Sequence, residues 1–208
     1  MPLLREFHLD EALLMIWQLA ESESDMLALC QKAGINPHIN AKNAKRRMES
    51  MAELLMLASK GLSLSHNEDG KPIVSTNPRY SHISISHSGE FVVVALCGKA
   101  IGIDIEKVSE RIAKVRSHFL RLEEIEAFPA GNLELNTTAW TAKEALYKAA
   151  GIRNLTWQQG ILPTDMKEPG KDTIEWSAMI APNGILARPF KLVSQNLSGY
   201  ILTLATLG

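Results

Sequence analysis

Between Ser81 and Val108 the spacing of apolar residues changes from a helical one to a period of two, and this change restricts the fold more than any other feature. Ile83 and Ile85 alternate with Ser84 and Ser86, and His87-Ser88-Gly89-Glu90 reads as a turn. Phe91 to Leu96 is a nearly unbroken apolar, β-branched run, the pattern of a strand covered on both faces. Gly98-Lys99 makes a second turn, and Ile101 to Val108 alternates again. The pattern predicts a three-stranded antiparallel meander at the centre of the chain.

Helical spacings flank this region. Leu13 to Ala20, around Trp17, fits either a buried strand or a helix, with the strand preferred. Ser24 caps a predicted short helix that ends at Gly34. Met48, Met51, Ala52, Leu55 and Ala58 define a second helix stopped by Gly61. Lys42, Lys45, Arg46 and Arg47 fall in its first turns, where the helix dipole favours acids. Either solvent screens them or they face a bound anion. Beyond the meander, helices are predicted over 112–120, 123–128 and 137–150, the last closed by Gly151. Glu168-Pro169-Gly170 marks a loop, and strands follow at 173–180, 190–193 and 200–207, with a Pro182-Asn183-Gly184 turn. Helices and a small antiparallel sheet thus occur on both sides of residue 99. The layout allows an α+β chain of two similar halves, 1–98 and 99–208.

Composition narrows the class of partner. Among 208 residues, 22 Lys+Arg stand against 23 Asp+Glu, so no global basic field draws the chain to nucleic acid or to an anionic membrane. Any bound anion must be held by a local cluster. The apolar stretch Ala12 to Trp17 is far shorter than the roughly 20 residues a membrane helix needs, and the residues before it do not form a signal peptide. Cys30 and Cys97 match no metal or redox spacing and read as buried thiols. A cytoplasmic protein is expected.

Three constellations could carry chemistry. In Gly102-Ile103-Asp104-Ile105-Glu106 the isoleucines share one strand face, while Asp104 and Glu106 share the other, roughly 6.5–7 Å apart. Such carboxylates repel unless a cation lies between them, and hard oxygen donors at this separation suit Mg²⁺. A solvated polar face is the alternative. In Trp140-Thr141-Ala142-Lys143-Glu144-Ala145-Leu146-Tyr147-Lys148, Glu144 and Lys148 are four apart on one helix face. They form either an exposed ion pair or a third carboxylate with an ammonium beside it, a pairing useful in phosphoryl transfer. Gly70-Lys71-Pro72 and Ser86-His87-Ser88-Gly89 could meet a flat ring and phosphate oxygens, although a histidine in a turn is by default an exposed turn residue.

Taken in order, Gly-Lys-Pro at 70–72, Ile-Ser-His-Ser at 85–88, Gly-Ile-Asp-Ile-Glu at 102–106 and Trp-Thr-Ala-Lys-Glu-Ala at 140–145 resemble the 4′-phosphopantetheinyl transferases of the surfactin-synthetase-activating type. The resemblance implies two similar α/β halves forming an intramolecular pseudo-dimer, with coenzyme A as co-substrate. The N-terminal half would hold its adenosine side. It further implies that Asp104, Glu106 and Glu144 hold Mg²⁺ against the pyrophosphate. Glu144 would act as base and Lys148 would assist the leaving phosphate. Ser86 and His87 would contact coenzyme A phosphates, with Lys71, beside Pro72, near the 3′-phosphate. The acceptor would be a serine of an acyl or peptidyl carrier protein, 3′,5′-ADP would leave, and the enzyme would be a monomer. A non-catalytic coenzyme A or carrier-protein binding module on the same scaffold is the alternative.

The family's Arg-x-x-Glu-x-x-Ala-x-Arg pattern is met by Arg46, Glu49 and Ala52, but its last position is Leu54. Lys45, Arg46 or Arg47 would then supply the missing cation from one turn away. Arg111, Lys114, Arg116, His118 and Arg121 form a basic cluster suited to docking an acidic carrier protein, unless they are simply a solvated charged face.

Overall fold

The computed structural model describes residues 3–75, 77–152, 155, 157–164, 173–180 and 188–208. The chain is α+β with antiparallel sheets, and its contacts divide it into two compact units, Met1–Gly98 and Lys99–Gly208.

In the first unit, strands β1 (Leu3–Leu9), β2 (Ala12–Gln18), β5 (His82–Ser88) and β6 (Phe91–Cys97) form one sheet in the order β1-β2-β6-β5. Helices α1 (Glu23–Lys32) and α2 (Ala44–Ala58) cover one of its faces. Leu13, Met15 and Trp17 of β2 lie opposite Leu96, Val94 and Val92 of β6. This face packs on Met26 and Cys30 of α1 and on Met51, Met56 and Leu57 of α2. Each such side chain contributes about 1.5–3 kcal/mol of burial. On the other face Ala12, Leu14, Ile16, Val93 and Ala95 are buried too, so β6 is apolar throughout. A short hairpin, β3 (Leu64–His66) and β4 (Pro72–Val74), completes the unit.

The cap of α1 is Ser22, not Ser24. Ser22 Oγ accepts from the Asp25 amide while the Asp25 carboxylate accepts from the Ser22 amide, a reciprocal box that needs a three-residue spacing. Asn43 caps α2, and Lys42 therefore precedes the helix.

In the second unit, β7 (Ile101–Lys107), β8 (Ile161–Thr164), β9 (Thr173–Ile180), β10 (Arg188–Asn196) and β11 (Tyr200–Leu207) form a sheet in the order β7-β11-β10-β9-β8. The central meander expected from the sequence is therefore corrected. β6 runs between β2 and β5, whereas β7 pairs with β11, nearly 100 residues downstream. Alternation identifies a strand but carries no information about which distant strand completes its ladder. His87 and Ser88 also belong to β5 rather than to a turn, paired with Val92 and Phe91.

Helix α5 (Leu133–Ala150) lies on this sheet, capped by Asn132 and closed by Gly151 at φ 61°. Its alanines and Leu146 pack with Trp176, Phe190 and Leu192 of the sheet and with Phe119 and Phe128. The helix expected over 112–120 is shorter, α3 (Glu110–Lys114), followed by a 3-10 turn at Arg116–His118 and by α4 (Leu122–Ile125). The carbonyls of Ser117, Phe119 and Leu120 bond side chains from Gln158 and Lys143 instead of continuing a helix. α6 (Trp157–Gly160) completes the set. The expected loop at 168–170 and turn at 182–184 lie outside the described residues.

Candidate active site

The closest approach of α5 to the sheet is at Gly102. A Cβ there would lie 1.8 Å from the Ala145 carbonyl oxygen and 2.7 Å from the Ala149 amide nitrogen. Only glycine allows strand and helix backbones to meet this closely. Side chains alternate along β7, so Asp104 and Glu106 point to the same α5-facing side as Gly102. Asp104 is consequently 5% exposed and Glu106 half-buried, and their face is covered by the helix rather than solvated.

Lys148 crosses from α5 to β7. Its Nζ donates to Asp104 Oδ1 at 2.8 Å and to the Ile103 carbonyl at 2.9 Å. Its direct ionic partner is therefore Asp104, not the Glu144 one turn back in the sequence. Burial, with the charges of Asp104 and Glu106 beside it and Lys148 opposing them, raises the Glu144 carboxyl to a pKa of about 7. Three carboxylates and one ammonium thus share a single field. Oxygen donors of this number and charge suit a hard divalent cation, which would relieve their repulsion. In the present side-chain positions Lys148 supplies the positive charge at Asp104. Among the described residues, no group of three or more His, Cys, Asp or Glu side chains stands in place to hold a metal ion.

Beside Asp104 a line of hydroxyls crosses the sheet. Thr203, opposite Asp104 in the β7–β11 ladder, lies 2.7 Å from Thr141 of α5 and 2.7 Å from Ser194 of β10. Thr141 also donates to the Thr138 carbonyl at 3.1 Å.

Lys143 was not singled out by its sequence, yet it is 1% exposed. Its Nζ bonds Glu124 Oε2 at 2.6 Å, the Phe119 carbonyl at 2.7 Å and the Trp157 carbonyl at 3.1 Å. Burial lowers its pKa, with Glu124 pulling the other way. A lysine three residues after Trp140, within an otherwise apolar and small-residue face, is the signal that could have found it.

The first unit carries a second charged cluster. Arg46 of α2 donates to Glu49 at 3.1 Å and contacts Nε2 of His87, whose Nδ1 lies 3.9 Å from the same carboxylate. Lys45 stands 3.8 Å from Glu49, which is itself 5% exposed. One turn on, Glu53 is buried and its pKa is raised to about 7, mainly by desolvation, with Arg46 lowering it and Glu49 raising it. Arg47 points elsewhere. It grips both oxygens of Glu23 at 2.5 and 2.9 Å and the carbonyls of Ala41 and Lys42. The cations at the start of α2 thus meet carboxylates rather than solvent alone. Arg46 and His87 come together; Ser86 lies on the opposite face of β5, and Lys71 and Pro72 sit on the β3–β4 hairpin, Lys71 exposed.

In the basic cluster of the second unit, Arg116 donates to the Phe128 carbonyl at 2.5 Å and Arg121 stands 3.6 Å from Glu124. Both serve the local fold. Arg111, Lys114 and His118 are exposed, Lys114 lying 3.1 Å from Glu110, and Leu122 nearby is 81% exposed.

Comparison with known proteins places these features in a class. The family model of the 4′-phosphopantetheinyl transferase superfamily matches residues 100–183, the stretch that holds β7, α3, α4 and α5. This part of the chain carries the signature of that superfamily, the family its motifs resemble. Among curated proteins the chain is 31% identical to the 4′-phosphopantetheinyl transferase gsp of Aneurinibacillus migulanus, over 55% of this chain and 52% of the relative. It is 32% identical to a 4′-phosphopantetheinyl transferase of Bacillus subtilis with the same two shares, and 25% identical to psf-1 of Bacillus pumilus over 62% and 57%. The chain spans about half the length of the curated relatives it matches. No described helix is long and apolar enough to cross a membrane.

Proposed function

We propose that the chain transfers the 4′-phosphopantetheine group of coenzyme A to a serine of an acyl or peptidyl carrier protein, releasing 3′,5′-ADP. The observation that carries this reading is the gathering of Asp104, Glu106, Glu144 and Lys148 between β7 and α5. In the reaction the serine oxygen forms a bond to the β-phosphorus as the bond from that phosphorus to the 3′,5′-ADP oxygen breaks. Glu144, with a pKa near neutrality, is matched to accept the serine proton. Lys148 engages two oxygens among the described residues, and an ammonium has three donors. The third can bond an oxygen of the departing phosphate. Asp104, Glu106 and Glu144 would hold Mg²⁺, which supplies neutralisation of pyrophosphate charge. Transfer between phosphate esters depends on such neutralisation and on alignment more than on covalent catalysis.

In the first unit, Arg46 and His87 would bind coenzyme A phosphates, with Ser86 and Lys71 contributing and Pro72 shaping the loop. Because the Arg47 guanidinium is bound to Glu23 and to two carbonyls, Lys45 and Arg46 are the cations that would replace the arginine absent at Leu54. We further propose that the two units form the two halves of an intramolecular pseudo-dimer acting as a monomer in the cytoplasm. The exposed Arg111, Lys114 and His118, with Leu122, would receive an acidic carrier protein. The test is mass spectrometry of an apo carrier protein incubated with the enzyme, coenzyme A and Mg²⁺. The acceptor serine should gain one phosphopantetheine, and coenzyme A binding without any gain would favour a non-catalytic binding module.

A further inference from the structure

We propose that Lys143 is a positioning residue, whose bonds to Glu124 and to the carbonyls of Phe119 and Trp157 fix the basic segment 111–122 on α5 and thereby set where an acidic protein substrate sits.

Lys143 lies about 160° around α5 from Ala145, so it faces away from β7 and the four charged groups there. Its bonds run to Phe119, to Glu124 of α4 and to Trp157 at the start of α6. Glu124, through its other oxygen, faces Arg121 at 3.6 Å, and its Oε2 also accepts from the Arg121 amide at 2.8 Å. Gln158 adds bonds to the Ser117 and Leu120 carbonyls at 2.8 and 3.2 Å. The segment is therefore tied at 119 by Lys143 and at 117 and 120 by Gln158, with Glu124 held just beyond its end. Aromatic rings join the same elements. Phe119 meets Trp140 edge-on at 5.1 Å, and the Trp157 ring lies tilted 5.7 Å from Trp140 and 6.2 Å from Tyr147.

Stability alone does not account for this choice. A buried ammonium–carboxylate pair adds little over an apolar pair of the same volume, although losing one partner is costly. What the pair does specify is position, because three acceptors around one ammonium admit a single placement of residues 119–124. Glu144 is the next residue of the same helix. A shift of the segment therefore weakens the surface on which the acceptor docks without touching the carboxylates.

This inference rests on the transferase reading. Its test compares the wild type with Lys143→Met, Glu124→Gln and the double variant Lys143→Met/Glu124→Leu. Each single variant leaves a buried charge unpaired and is expected to unfold more readily than the double variant, which removes both charges. In the double variant the KM for an apo acyl carrier protein should rise about tenfold with kcat little changed. The coenzyme A dissociation constant, read by calorimetry, should stay within about twofold. Hydrogen exchange should quicken at amides 116–125 and stay as in the wild type along β7. An unchanged acceptor KM, or a parallel loss of coenzyme A affinity, overturns the proposal. If the wild type modifies no carrier protein, the transferase reading fails first. Hydrogen exchange then still decides the clamp, and unaltered exchange at 116–125 overturns it.

Discussion

Lys148 and Asp104 are 44 positions apart in the chain and 2.8 Å apart in space. The pair joins α5 to β7 at the point where two further carboxylates, Glu106 and Glu144, raise the density of negative charge. Replacing Lys148 by methionine leaves the Asp104 carboxylate without its counter-ion in a side chain only 7% exposed. The expected loss is about 3 kcal/mol, read from urea unfolding. Mg²⁺ should stabilise this variant more than the wild type, because the cation then replaces the missing ammonium. A variant as stable as the wild type, with or without Mg²⁺, would show that the acids do not interact as described.

Gly102 is the second point of dependence. Its replacement by alanine puts a methyl group on the Ala145 carbonyl, which is backbone and cannot rotate away. β7 and α5 must separate, at a cost of about 3 kcal/mol. The separation also moves Glu144 of α5 away from Asp104 and Glu106 of β7, so stability and the response to Mg²⁺ should fall together. Denaturant unfolding of Gly102→Ala with and without the metal tests both.

Glu53 gives a dependence on pH in the first unit. Its pKa is raised from 4.5 to about 7, so between those values the folded chain holds a proton that the unfolded chain releases. Stability therefore falls as pH rises through this window, by about 3 kcal/mol in all, and is lowered by the full amount above it. Glu53→Gln should flatten this slope and gain about that much at pH 8 while changing little near pH 4.5. Unfolding midpoints measured across the range would show it, and a parallel slope in the variant would contradict it.

The two neighbouring arginines of α2 should separate cleanly. Arg46→Ala removes a cation beside His87, and coenzyme A should bind about tenfold to hundredfold more weakly. Arg47→Ala should leave that affinity nearly unchanged but lower the melting temperature, because it unties α1 and residues 41–42 from α2. Calorimetric titration of both variants distinguishes the roles.

Much of this was legible before folding was considered, and the failures have a common cause. Strands β5, β6, β7, β9 and β11 and helices α2 and α5 announce themselves by local periodicity. β1 does not, since Arg5, Glu6 and His8 dilute its apolar face at the edge of the sheet. The assignment of β7 to a meander failed because its partner lies at the far end of the chain. The acids at 104, 106 and 144 were visible as residue types, but the partner of Lys148 was not. Helical spacing pointed to Glu144, while the approach permitted by Gly102 brings Asp104 within reach instead. Lys143 stayed hidden because a charged residue in an apolar face is legible only once its oxygen partners, distant in sequence, are placed around it.

The hydroxyl series from Ser194 through Thr203 to Thr141 has a direction. A hydroxyl donates one proton, and that of Thr141 is committed to the Thr138 carbonyl. Thr203 must then donate to Thr141, and Ser194 to Thr203. Replacing Thr203 by valine, nearly the same shape, would thus strand two neighbours at once, one lacking an acceptor and the other a donor, so a mutation that alters no charge would still loosen the join of α5 to the strands beside Asp104.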